Sequence, residues 1–191
     1  MTMTIVSLQA ATGKEVLAGR LAGEFLKQEL ETSLRETARG ALILVDFAGV
    51  AHMTSSYFLG GLEWLWTMRN PDFFPVVINA DAEVAEEIEL VARARGLKPL
   101  LGSSEDGTVT GAEPLNMEEE ELRTFRQVER LGEATAADLY RLNPRIQPTG
   151  WSNRLALLYE ARLLRRRKEG RQLVYSVSWR WPDGRGLYSE T

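Results

Sequence analysis

The stretch that decides the fold is PTGWSNRLALLYEARLLRRRKEGRQLVYSVSW, which covers residues 148–179. In its first half, Trp151, Leu155 and Leu158 follow one another at steps of four and three residues, the spacing of an amphipathic helix with one buried face. Pro148 suits the first turn of such a helix, where a backbone N–H has no partner within the helix. We therefore predict a helix that begins near Pro148 and turns these apolar residues inward.

The second half of the stretch predicts a β-hairpin. Along residues 171–179, four apolar side chains fall on one face of a strand and two serines on the other. A first strand is expected at 164–168. Glu169 and Gly170 lie between the two strands and form a short turn that ends in glycine, which is typical of a hairpin.

Two further helices precede this stretch. An amphipathic pattern predicts a helix over 119–131, ended by Gly132. Thr135 and Asp138 have the spacing of an N-cap and an acid at the third helical position, which opens a second, short helix. Residues 118–191 are thus expected to form three helices followed by a hairpin, the element order of a winged helix.

The first part of the chain alternates between strands and helices. ALILVDF, residues 41–47, is a continuous apolar run that predicts a strand buried on both faces. Other strands are expected at 3–8, 76–80 and 97–101, and helices at 14–36, 55–69 and 82–95. This alternation predicts an α/β domain over residues 1–101 with a mixed, largely parallel sheet.

Composition and charge both change at residues 102–117. This segment holds three glycines and a proline and few large apolar side chains, which is typical of a linker. Residues 1–115 carry 9 Lys and Arg against 16 Asp and Glu, whereas residues 123–185 carry 14 against 6. A domain boundary is therefore predicted at 102–117, and the basic second domain is expected to meet a polyanion such as nucleic acid.

Composition excludes several kinds of site. The chain has no cysteine and one histidine, His52, so thiolate metal sites, cysteine nucleophiles and multi-histidine metal sites are impossible. Asp46 ends a predicted strand without an evident acid–base partner, and we expect neither an enzyme nor a bound cofactor or metal. No apolar stretch is long enough to span a membrane and no signal peptide precedes the first strand, so we expect a cytoplasmic protein.

The decisive stretch resembles the winged helix-turn-helix transcription regulators of the MarR and ArsR type. The similarity rests on residues 148–164, the basic run Arg165–Lys168 and the turn that follows, and it covers about residues 119–179. In those families the third helix enters the major groove of double-stranded DNA and the hairpin lies along the backbone. Such regulators are commonly homodimers, so the resemblance implies a dimeric DNA-binding protein.

Helical geometry names the residues that would read DNA. With the apolar face turned inward, Thr149, Ser152 and Asn153 lie on the outer side, where Asn can bond adenine and Ser or Thr can contact base edges. Arg154 is long enough to reach a phosphate or a guanine edge. The predicted phosphate contacts cluster around the hairpin turn: Arg165, Arg166, Arg167, Lys168 and Arg171. The alternatives are that Asn153 is a solvent-exposed or capping residue and that the basic run is only a solvated hairpin.

The first domain resembles the STAS fold of anti-sigma-factor antagonists and the STAS-like domains found beside DNA-binding modules. The similarity rests on residues 42–50 and on Met53-Thr-Ser-Ser56 at the start of a helix. In that family a partner kinase phosphorylates the loop serine or threonine, and the match implies that Ser55 is the phosphorylatable residue. Thr54 stands where the family usually has Asp. From the residues alone, Thr54-Ser55-Ser56 is an N-cap cluster, and we favour a cap over a phosphorylation switch.

These features together predict a transcription regulator. The winged helix would bind double-stranded DNA as a homodimer, and the STAS-like module would supply signal input or dimerisation, with a possible regulatory protein partner. The alternative is a protein-interaction adaptor in a partner-switching pathway, in which the winged helix contacts protein.

Overall fold

The structure is a computed structural model of the chain and describes residues 2–68, 73–105 and 107–179. In this part of the chain the strands are β1 (Met3–Ser7), β2 (Val16–Leu17), β3 (Ala41–Asp46), β4 (His52–Met53), β5 (Phe73–Ile78), β6 (Leu100–Glu105), β7 (Thr108–Pro114), β8 (Glu133–Ala134), β9 (Leu164–Glu169) and β10 (Gln172–Val177). The helices are α1 (Leu8–Thr12), α2 (Arg20–Ser33), α3 (Ser55–Gly61), α4 (Trp64–Thr67), α5 (Ala82–Arg95), α6 (Glu119–Leu131), α7 (Ala136–Leu142) and α8 (Pro148–Glu160).

A five-stranded sheet organises the first half of the chain. Its strand order is β1-β3-β5-β6-β7, with the first four strands parallel and β7 antiparallel to β6. The prediction of an α/β protein with a mixed, largely parallel sheet is therefore confirmed. The strand predicted over 41–47 is the second in this order, and the five residues 41–45 are buried on both of its faces.

The two faces of the sheet belong to two hydrophobic cores. Ile43 and Val45 pack with α2, α3 and α5 in the first core. Leu42 and Leu44, which point to the opposite face, share the second core with residues of α6, α8 and the β9–β10 hairpin. The helices and hairpin of residues 118–179, here called the C-terminal unit, thus cover the sheet face that the first half of the chain leaves open.

The segment predicted as a linker has regular structure. Leu100–Glu105 forms β6 and Thr108–Pro114 forms β7, and Val109 and Ala112 of β7 are buried in the second core. The register shifts between Leu101 and Ser103, which bends the pair. Short polar residues hide these strands in the sequence, because sheet pairing rather than intrinsic preference orders them.

Two predicted helices are shorter than expected. The helix predicted over 14–36 begins only at Arg20, because Gly19 has φ of 85° and a short strand precedes it. The helix predicted over 55–69 divides into α3 and α4. Its predicted end at Arg69 lies outside the described residues, as does the part of the second predicted domain beyond residue 179.

Close packing fixes α3 against α2. A Cβ added at Gly23 of α2 would lie 2.4 Å from the carbonyl oxygen of Tyr57, and one added at Gly60 would lie 2.4 Å from the carbonyl oxygen of Arg20. Glycine at both positions is required for the two helices to approach this closely. The contact holds Ser55, at the start of α3, in a fixed place relative to α2.

The elements predicted for the C-terminal unit are present. Thr135 and Asp138 form a reciprocal cap of α7, and the hydroxyl and backbone N–H of Thr135 hold the pKa of Asp138 below its ordinary value. The hairpin turn is one residue later than predicted. Glu169 pairs with Gln172, so the two turn residues are Gly170 and Arg171. The short strand β8 pairs with β10, which gives a three-stranded sheet of order β8-β10-β9.

Two further findings apply to the described residues alone. None of their helices combines the length and the apolar character needed to cross a membrane. No group of three or more His, Asp or Glu side chains among them is placed to hold a metal ion.

Candidate nucleic-acid interface

Helix α8 has one buried and one exposed side. Trp151, Leu155 and Leu158 are buried in the second core, as their spacing predicts. Thr149, Ser152 and Asn153 are exposed, and no side-chain hydrogen bond within the described residues engages them. We call these three residues the polar face of α8. Asn153 does not cap the helix, since the N-cap residue is Gln147.

Arg154 lies beside the polar face but is engaged within the protein. Its guanidinium donates to the carboxylate of Glu120 on α6 and lies over the indole ring of Trp151, 5.5 Å from the ring centroid. The Glu120 carboxylate would compete with DNA for Arg154.

The cations of the hairpin differ in whether a carboxylate of the protein already contacts them. Arg166, Lys168 and Arg171 are exposed. Among the described residues none of the three has a carboxylate within salt-bridge distance, and Arg166 lies 4.1 Å from the centroid of the Tyr159 ring. Arg167 is different, because its guanidinium contacts Glu133 and, at 2.7 Å, Glu169. The basic run therefore presents three cations that carry no carboxylate partner in this part of the chain.

Arg165 is half-buried and its guanidinium contacts other parts of the fold. Its Nε donates to the carbonyl oxygen of Ser178 at 2.6 Å and its Nη1 to that of Gly40 at 3.0 Å. The guanidinium carbon is 4.8 Å from the centroid of the Phe74 ring. Burial lowers the pKa of Arg165 to about 10. This side chain joins the hairpin to the five-stranded sheet, and we leave it out of the DNA contacts proposed below.

Sequence reasoning missed two arginines of the C-terminal unit. Arg145 lies in the turn between α7 and α8, shortly before the polar face in the sequence, and is exposed. Its position outside the basic run gave no signal. Arg162 is only 4% exposed, has φ of 65°, and donates to the carbonyl oxygens of Trp66, at 2.5 Å, and of Met68. Nothing in the sequence separates this buried arginine from the exposed ones that follow it.

The predicted phosphorylation site lies at the start of α3. Thr54 is the N-cap residue, and its hydroxyl accepts from the backbone N–H of Tyr57 and of Gly19. Ser55 is half-buried, and its hydroxyl donates to Glu87 of α5 at 2.6 Å. A phosphate on Ser55 would meet this carboxylate, so its electrostatic surroundings disfavour the modification unless α5 moves.

The neighbouring titratable residues are also engaged. His52 Nδ1 lies 2.5 Å from the carboxylate of Glu83. Asp46 accepts from the backbone N–H of Ala48 and from the side-chain amide of Asn79. The Asn79 carbonyl oxygen in turn accepts from the backbone N–H of Ser104. Asp46 and Asn79 together therefore link β3, β5 and β6.

No protein-family model matches the chain, and a search of curated proteins finds no significant relative. The resemblances to winged-helix regulators and to the STAS fold are thus carried by the quoted residues alone.

Proposed function

We propose that the chain is a DNA-binding transcription regulator whose C-terminal unit is a winged helix. Helix α8 would enter the major groove with its polar face toward the bases, and the β9–β10 hairpin would lie along the phosphate backbone. The observation that carries the proposal is the polar face itself: three exposed side chains that can bond base edges, on a helix whose other side is buried.

The charge of the surrounding surface supports this proposal. The exposed cations Arg166, Lys168 and Arg171 lie on the hairpin that follows α8, and Arg145 lies in the turn before it. Clustered cations around a groove-reading helix bind phosphates without regard to sequence, while the helix supplies discrimination. Arg154 and Arg167 would add to this set only after releasing their carboxylate partners.

We further propose that the protein acts as a homodimer and that the first half of the chain receives a signal. Two copies on a palindromic site would follow if the protein is a homodimer, since operator symmetry mirrors protein symmetry. The sheet and helices of residues 2–101 would form the STAS-like module that receives a signal or a protein partner.

A protein-interaction adaptor is the second candidate function. Leu21 and Phe25 on α2 are 65% and 59% exposed. Two large apolar side chains one helical turn apart on a surface favour contact with another protein. In this case the polar face of α8 would not bind DNA, and the two experiments below separate the candidates.

Asn153→Ala is expected to weaken binding to a preferred duplex by about 1–3 kcal/mol and to relax discrimination at one base position. The reason is that an amide can make two hydrogen bonds to adenine that alanine cannot. A preferred site is first selected from a random duplex pool. Fluorescence-anisotropy titrations then compare that site with random duplex. Equal losses on both duplexes would remove Asn153 from the base-reading residues.

Lys168→Ala and Arg171→Ala are expected to weaken binding to every sequence alike. If each side chain neutralises one phosphate, each substitution reduces the slope of log affinity against log salt by about one unit. The control is Arg93→Ala, which removes one exposed cation from α5, a helix that packs in the first core and is remote from the hairpin in sequence. If the slopes of the hairpin variants equal that of the control, the hairpin does not lie on the phosphates and the adaptor becomes the leading function.

A further inference from the structure

A cavity of about 410 Å³ lies between the loop that joins α1 to β2, helix α2 and helix α3. Its wall is about equally polar and apolar. The apolar lining comprises Val16, Leu17, Ala22, Phe25 and Leu26. Val16 and Phe25 are more than half exposed, so apolar surface continues from the wall to the outside.

Tyr57 contributes its hydroxyl to the lining of this cavity. The residue is only 2% exposed, and its hydroxyl has no hydrogen-bond partner among the described residues. Burial, together with the negative charge of Glu29, raises the pKa of Tyr57 to about 12, so the hydroxyl stays protonated and can donate. The hydroxyl can therefore donate a hydrogen bond to a ligand in the cavity.

Two side chains of opposite charge complete the lining. Lys14 lies in the loop before β2 and Glu29 lies on α2. Neither forms a salt bridge with the other or with any further residue in the described ranges. The nearby carboxylates and ammonium groups on α2 are already paired, Arg20 with Glu24 and Lys27 with Glu31. The cavity thus has one anion and one cation at its rim, both exposed to solvent and neither in a salt bridge within the described ranges.

We propose that this cavity binds a free amino acid with an apolar side chain. The ligand ammonium would pair with Glu29, its carboxylate with Lys14 and the Tyr57 hydroxyl, and its side chain would lie against the apolar wall. A ligand with both charges can contact all three polar groups, whereas a purely cationic ligand can contact only Glu29 and a purely anionic one only Lys14 and Tyr57. The proposal is independent of DNA binding, because the cavity belongs to the first core and not to α8 or the hairpin.

The experiment uses the full chain and three probes of similar shape: L-phenylalanine, phenethylamine, which lacks the carboxylate, and hydrocinnamate, which lacks the ammonium. Amide chemical shifts are followed during each titration. L-phenylalanine is expected to give saturable shifts at residues that line the cavity, with a Kd on the order of 1 mM, as suits a ligand of this size. Each of the other two probes is expected to bind about fivefold more weakly.

Three variants assign the contacts. Glu29→Gln should weaken L-phenylalanine binding about fivefold and leave hydrocinnamate binding unchanged. Lys14→Gln should also weaken L-phenylalanine binding about fivefold but leave phenethylamine binding unchanged. Tyr57→Phe should weaken L-phenylalanine without lowering the stability of the fold, since the hydroxyl has no protein partner. Glu24→Gln on the same helix is the control and should change nothing. No saturable shift with any probe, or equal affinity for all three, would overturn the proposal.

Discussion

Replacing Arg162 with alanine is expected to lower the free energy of unfolding by about 3 kcal/mol. The guanidinium is buried and donates to the carbonyl oxygens of Trp66 and Met68, at the end of α4, and to that of Glu160. Alanine removes all three hydrogen bonds and leaves buried carbonyl groups without donors. It also keeps a side chain at φ of 65°, a conformation that favours glycine.

Urea unfolding followed by circular dichroism measures this effect. Arg162→Gly removes the same hydrogen bonds but adopts the positive φ without strain, so it is expected to be more stable than Arg162→Ala by about 1 kcal/mol. Arg171→Ala, an exposed arginine of the same unit, is the matched control and should change stability by less than about 0.5 kcal/mol. A loss for Arg162→Ala no larger than that of the control would show that the arginine does not hold the two halves together.

Leu44→Ala is expected to destabilise both halves of the protein together, by about 3 kcal/mol. Leu44 is fully buried and belongs to the second core, which the sheet shares with the C-terminal unit. Its neighbour Val45 enters the first core, and Val45→Ala, which removes less volume, should cost about 2 kcal/mol. Because one strand serves both cores, loss of either side chain is expected to move one common transition.

Residue-specific signals distinguish a common transition from two separate ones. The amide signals of Leu26, in the first core, and of Leu155, in the second, are followed through a urea titration of each variant. Both signals should disappear at the same urea concentration in Leu44→Ala and again in Val45→Ala. If Leu44→Ala moved only the Leu155 signal, the C-terminal unit would unfold separately and the two cores would be energetically independent.

Periodicity and cap residues predicted most helices and strands of this chain. Trp151, Leu155 and Leu158 placed α8 correctly because a helix with one buried side must repeat its apolar residues at this spacing. Thr135 and Asp138 placed the start of α7 because their side chains satisfy backbone groups close in sequence. The apolar run 41–47 predicted a strand with two buried faces, as found. Interactions between neighbours in the chain therefore account for these successes.

Contacts between distant residues account for the rest. The sequence predicts a strand only as far as residue 101, because the strands beyond it are ordered by pairing, β6 with β5 and β7 with β6. The five cations predicted to contact phosphates look alike in sequence. Only the fold reveals that Arg165 is half-buried and contacts Gly40 and Phe74, and that Arg167 contacts Glu133. The sequence identified the basic hairpin but could not say which of its charges stay at the surface.

The double-sided burial of β3 limits how this protein can exchange parts with others. Leu42 and Leu44 of the sheet belong to the same hydrophobic core as Phe125 and Trp151 of the C-terminal unit. If the C-terminal unit were fused to a different protein, its apolar face would be exposed to solvent, and so would the sheet face that it covers here. Recombination at residues 102–117 would cut through paired strands. We therefore expect the two halves of the chain to have evolved together, because a substitution on one side of the shared core changes the packing of the other side.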